Sequence, residues 1–158
     1  MNPRVRPIPA GYEGPTAYLI VDGAPAAIDF YKKAFGAKEI GRFQNPDGKI
    51  GHADVMIGGG HVMLADASPE MGARPPAAFG GSPVSLCIYV EDVDKVVERA
   101  VAAGAKVTRP VADQFYGDRT GGVTDPFGHV WYVMTHVEDV SMEEMEKRAA
   151  KRTEHAQA

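Results

Sequence analysis

Asp125-Pro126-Phe127-Gly128-His129-Val130-Trp131-Tyr132-Val133-Met134 reads as a tight turn feeding a strand. Pro126 sets φ and Gly128 permits a positive φ, so the chain can reverse between Asp125 and His129. The residues that follow are β-branched or aromatic and suit a half-buried strand. An earlier stretch, Gly60-His61-Val62-Met63-Leu64, echoes Gly128-His129-Val130-Trp131-Tyr132 at an offset of 68 residues. The same offset of 68 joins Gly36-Ala37-Lys38 to Gly104-Ala105-Lys106. Two separate matches at one spacing argue for a duplicated module.

Working outward, each copy reads as β-α-β-β-β. In the first, a strand from Thr16 to Val21 precedes a helix from Pro25 to Phe35, with Gly36 as its cap. Strands then run from Lys38 to Gln44, Gly51 to Ile57 and His61 to Asp66, parted by Asn45-Pro46-Asp47-Gly48 and Gly58-Gly59-Gly60. In the second, a strand from Val84 to Val90 precedes a helix that Asp92 caps and Gly104 ends. Strands follow at Lys106 to Val111, at Thr120 to Thr124 and after the opening turn, with a loop from Asp113 to Arg119. The expected organisation is an arm at 1–15, a module at 16–66, a proline-rich linker at 67–83, a module at 84–136 and a helical tail at 137–158. Ser141 and Glu144 form a capping box for that tail.

The chain has 158 residues, 44% of them hydrophobic, enough for a core. Its formal charge of −4 argues against a nucleic-acid partner. No apolar run approaches the roughly 20 residues that cross a bilayer, so no membrane association is expected. The polar start, Met1 to Pro7, does not resemble a signal peptide, and a cytoplasmic location is expected. Cys87 is the single cysteine and is expected to be a buried small residue.

Two tandem β-α-β-β-β modules with a DPFG turn before the last strand resemble the vicinal oxygen chelate superfamily, the glyoxalase, bleomycin-resistance and extradiol-dioxygenase group. Three stretches resemble its PhnB-like branch: Ile28-Asp29-Phe30-Tyr31-Lys32-Lys33-Ala34-Phe35-Gly36-Ala37, Gly51-His52-Ala53-Asp54 and Asp113-Gln114-Phe115-Tyr116-Gly117-Asp118-Arg119. The resemblance covers roughly Pro15 to His136. It implies an α+β fold in which two βαβββ modules form a cupped, mostly antiparallel sheet around a cavity, with a C-terminal helix added. It also implies a homodimer.

Metal-using members of that superfamily take ligands from the first and fourth strand of each module. By the resemblance these positions fall at Thr16, Leu64, Ser85 and Tyr132. None is a usual ligand of a divalent ion, which prefers imidazole, carboxylate or thiolate. The standard metal site is therefore expected to be absent, with no cofactor. Alternation of side chains places Thr16, Tyr18, Ser85, Tyr89 and Tyr132 on the cavity face, and His52 and Asp54 on the third strand beside them. Gln114, Tyr116 and Arg119 are expected on a loop over the cavity, Arg119 suiting an anionic group. These ten residues suit a small organic ligand with a few polar groups. The alternative is a metal-dependent lyase, isomerase or dioxygenase with a non-standard site around His52 and Asp54. His61 and His129 are expected at exposed strand ends, and Trp131 on the helix side.

Overall fold

The computed structural model describes residues 5–156, so Met1 to Arg4 of the expected arm and the last two residues of the tail lie outside the described residues. The first module contains β1 (Ala17–Val21), α1 (Ala24–Phe35), β2 (Lys38–Gln44), β3 (Ile50–Ile57) and β4 (Gly60–Asp66). The second contains β5 (Ser85–Tyr89), α2 (Val93–Ala102), β6 (Lys106–Asp113), β7 (Asp118–Thr124) and β8 (Val130–His136), and α3 (Met142–Ala156) follows. The linker carries two short 3-10 turns, Pro69–Met71 and Pro76–Phe79.

Each module makes one four-stranded sheet, ordered β1-β4-β3-β2 and β5-β8-β7-β6. The first strand runs parallel to the fourth, and the other pairs are antiparallel. The helix between first and second strand supplies the crossover a parallel pair needs. Local chemistry fixes the helix starts. Asp66, at the end of β4, accepts from the Gly23 and Ala24 backbone N–H groups at 3.0 and 2.7 Å, so a strand end caps α1. Asp92 caps α2 through the Lys95 N–H at 3.0 Å. Gly36 ends α1 in the left-handed conformation, as its sequence position suggests.

The two helices pack on each other and on their own sheets, forming one core. Trp131, wholly buried on β8, lies 4.7 Å from the Phe35 ring and 5.5 Å from the Tyr31 ring of α1. The helix faces of both sheets therefore share one interior, with α1 and α2 between them. The other face of each sheet is turned away from that interior. Period 2 is clear in the first and last strands: Leu19, Val21, Trp131 and Val133 are buried, whereas Tyr18, Ser85, Cys87 and Tyr89 are exposed. Cys87 is accordingly not the buried residue expected, because it shares the open face with Ser85 and Tyr89.

The repeat is not uniform. Ile57 pairs with Gly60 across two residues, whereas the Asp125 N–H bonds the His129 carbonyl across three. The second module's turn is one residue longer. Before the turn, Val55 corresponds to Val123; after it, Val62 corresponds to Trp131.

Candidate functional site

The candidate site is the pair of open faces. On the first sheet, Tyr18 of β1 and His52 of β3 meet, hydroxyl to Nδ1, at 3.1 Å. Asp54, two residues further along β3, is 7% exposed. It is covered by Tyr12, whose hydroxyl donates to it, and by His61, whose Nδ1 lies 3.0 Å from Oδ1. The Tyr12 and His61 rings stack with centroids 4.1 Å apart. The Asp54 hydrogen bond is the main reason the Tyr12 phenol is held above its ordinary pKa, since the carboxylate disfavours phenolate. The arm thus contributes a side chain to this face. His52 and Asp54 have separate hydrogen-bond partners.

On the second sheet, Tyr89 donates to Asp118 at 2.7 Å, and His136 Nδ1 lies 2.7 Å from the other oxygen of the same carboxylate. His136 Nε2 reaches Asp139 at 3.0 Å. Asp118 is 5% exposed. Burial alone would raise its pKa, but the bonds from Tyr89 and His136 outweigh burial and hold it below the usual value. His136 is raised, first by Asp118 and then by Asp139. Ser85, Cys87 and Tyr132 lie on the same face, Cys87 directly opposite Tyr132 in the parallel pair. Gly122 leaves room beside Tyr132: a Cβ there would sit 3.2 Å from the ring.

Several expectations are corrected. Leu64 is not the counterpart of Tyr132. It is fully buried opposite Leu19, and Met63 opposite Tyr18 takes the position, because the longer second turn shifts the frame by one. His61 and His129 are not exposed strand ends. His61 sits against Asp54, and His129, 7% exposed, donates from Nε2 to the Ile20 carbonyl of the first module at 3.1 Å. The stretch from Asp113 to Arg119 is no long loop. β6 continues to Asp113, and a tight turn closes with the Gln114 N–H bonded to the Asp118 carbonyl at 2.7 Å. Arg119 alternates away from the open face and chelates Asp94 at the start of α2 at 2.7 and 2.8 Å, with Asp113 at 2.9 Å. Gln114 accepts from Arg109 and donates to the Ala112 carbonyl, and Tyr116 stays beside Tyr89.

Tyr18, His52 and Asp54 therefore gather on one sheet, with Thr16 just before β1, and Ser85, Tyr89 and Tyr132 on the other, with Tyr116 at its edge. Sequence reasoning missed Tyr12, His61, Asp118, His136 and Asp139. Asp118 and His136 were accessible to the alternation argument, since they pair directly across β7 and β8. Nothing in the arm's proline-rich sequence marks Tyr12.

The metal positions read Thr16, Met63, Ser85 and Tyr132 after the correction. Two alcohols, a phenol and a thioether do not fit a divalent ion. Among the described residues, no three His, Cys, Asp or Glu side chains are grouped to hold one.

The sequence profile of the Glyoxalase/Bleomycin resistance protein/Dioxygenase superfamily matches residues 14–133, from before β1 into β8. The chain belongs to this superfamily. An uncharacterised protein of Mycobacterium tuberculosis H37Rv, Rv0887c, is 47% identical over 132 residues, covering 82% of this chain and 78% of that one. The crystal structure of TioX from Micromonospora sp. ML1 superimposes with a TM-score of 0.61 at 29% identity, covering 82% of this chain and 100% of that one. A putative 3-demethylubiquinone-9 3-methyltransferase, PhnB protein, from Bacillus cereus shares the superfamily fold at a TM-score of 0.61 and 18% identity, covering 78% of this chain and 99% of that one. Among the described residues no helix is long and apolar enough to cross a membrane.

Proposed function

We propose that this member of the superfamily binds a small organic molecule on its open sheet faces, without the metal centre of its metal-using relatives. The observation that carries this reading is the exposure of an aromatic and polar surface that the fold itself does not cover. Tyr18, Phe43 and Tyr89 are 48%, 64% and 59% exposed, beside Asp54, Asp118 and Tyr132. Exposed aromatic groups with fixed polar partners are what a ligand surface needs. The chain places its own helices between its sheets, so neither open face closes on the other. A second copy supplies the missing wall, and the working unit is a homodimer with each pocket formed between subunits. The free, exposed Cys87 agrees with a reducing cytoplasmic compartment.

Thermal-shift screening of metabolites, followed by titration calorimetry, tests the binding. A ligand that raises Tm, and loses that effect in Tyr132→Ala, supports it. Light scattering at micromolar concentration tests the dimer; a monomer at all concentrations removes the proposed second wall. Elemental analysis of protein purified without chelator tests the metal-free reading. Stoichiometric Ni, Zn, Mn or Fe would favour a lyase, isomerase or dioxygenase instead, and His52 and Asp54 would then need re-examination.

A further inference from the structure

We infer that the pocket between the second sheet and α3 is a binding site for a small organic cation, an amine carried on an apolar stem. The pocket, about 770 Å³, is walled by the Tyr89 and Tyr116 rings and by Met145 of α3, and Asp118, His136 and Asp139 supply its polar groups. Two electron-rich rings and two carboxylates form an environment that attracts a cation and repels an anion. The apolar Met145 wall accepts a stem.

This pocket is built. His136 ends β8, and Asp139 and Met145 follow it, so the segment after the last strand and α3 form one wall of the pocket. Arg148 of α3 binds both Glu138 oxygens at 2.7 Å and Glu144 at 2.9 Å. Arg152 lies 5.3 Å over the Phe115 ring. Gly117 donates no Cβ where one would collide with the Glu138 carbonyl, and its own carbonyl accepts from Val137 and Glu138 at 2.9 Å. The β6–β7 turn, the segment after β8 and α3 are thereby held together.

His136 sets the pH dependence. The groups facing it are Asp118 from β7, Tyr89 from β5, Tyr116 from the turn and Asp139 after β8; Ser141, just before α3, and Met145 of α3 carry no charge. When His136 is protonated, the imidazolium neutralises the carboxylates and repels a second cation. When it is neutral, Asp118 and Asp139 are left for the ligand. Cation binding therefore strengthens as pH rises through the His136 titration.

This inference rests on the ligand-binding reading above only through Tyr89 and Asp118, which both surfaces share. The test is calorimetric titration of the full chain with phenethylammonium, with phenethyl alcohol and 3-phenylpropionate as neutral and anionic isosteres, at pH 5.5 and 8.5. The expected result is binding of the ammonium compound alone, about tenfold tighter at pH 8.5, as one charge removed at contact distance implies. His136→Gln should bind it with no pH dependence, and Asp139→Asn should weaken it if Asp118→Asn fails to fold. Equal binding of the alcohol or the carboxylate, no binding of the ammonium, or pH dependence surviving in His136→Gln would each overturn the inference. Screening hits that depend on Tyr132, beside a failed ammonium titration, would sink this inference and leave the broader reading standing.

Discussion

The Tyr31 hydroxyl of α1 donates to the Asp125 carboxylate of the β7–β8 turn at 2.9 Å, a bond between the two modules with both groups buried. The same oxygen accepts from Trp131 Nε1 at 3.0 Å, and the other accepts from the Phe127 and His129 backbone N–H groups at 2.9 Å each. Four donors converge on one carboxylate. Burial first, and then Asp125, push the Tyr31 phenol well above its ordinary range, so it remains a donor. Tyr31→Phe should cost about 1–3 kcal/mol, because one donor is lost while the carboxylate keeps three. Asp125→Ala should cost more, about 3 kcal/mol or above, since it strands all four donors. Urea midpoints measure both, and a smaller loss in Asp125→Ala than in Tyr31→Phe would contradict the hub.

The frame of β4 makes a second prediction. Leu64 is fully buried against the shared core, and Met63 faces the open side. Leu64→Ala should cost about 2–5 kcal/mol, in the range of buried leucine truncations. Met63→Ala should leave the urea midpoint nearly unchanged and alter ligand affinity. The opposite pattern would restore the uniform repeat and refute the one-residue shift.

His136 ties stability to pH. Its folded pKa is raised above the unfolded value, chiefly by Asp118. Its contribution is therefore complete below the unfolded value, near 6.5, and fades as pH rises through the folded one. His136→Gln should be less stable than the parent chain at pH 5.5, and the gap should narrow by pH 8.5. Denaturation at both pH values decides it; a gap that widens with pH would be the wrong sign.

Arg119 is held by two carboxylates away from the open face. Its guanidinium is engaged by Asp94 and Asp113 on the helix side of β7. Arg119→Ala should leave the affinity for any compound found by screening unchanged and lower stability slightly, as partly exposed ion pairs do. Anionic ligands losing affinity in this variant would return Arg119 to the site.

Much of the architecture was legible because it depends on period and punctuation. Gly36 as a cap, Asp92 at the start of α2, and the alternation of Leu19 and Val21 against Tyr18 are local consequences of local chemistry. The misread residues depend on distant partners or on one count. His129 is buried because Ile20 of the other module offers a carbonyl, which no local pattern announces. Asp118 and Arg119 were read as a loop because glycine and proline near Tyr116 and Pro110 mimic a break, yet pairing with β7 carries β6 to Asp113. Tyr12 reaches the site by tertiary folding of an arm with no periodicity at all.

The longer turn at Pro126 to Gly128 has a consequence for how the halves differ. Had both hairpins kept equal length, His129 would lie within the sheet like His61, and the indole next to it would exchange sides with a tyrosine. One additional residue instead lifts the imidazole out of the ladder and lets it clasp the neighbouring half, while the indole turns inward to anchor the same seam. A near-symmetric pair of halves has become an unequal one, in which only the second half lends an imidazole and an indole to the seam.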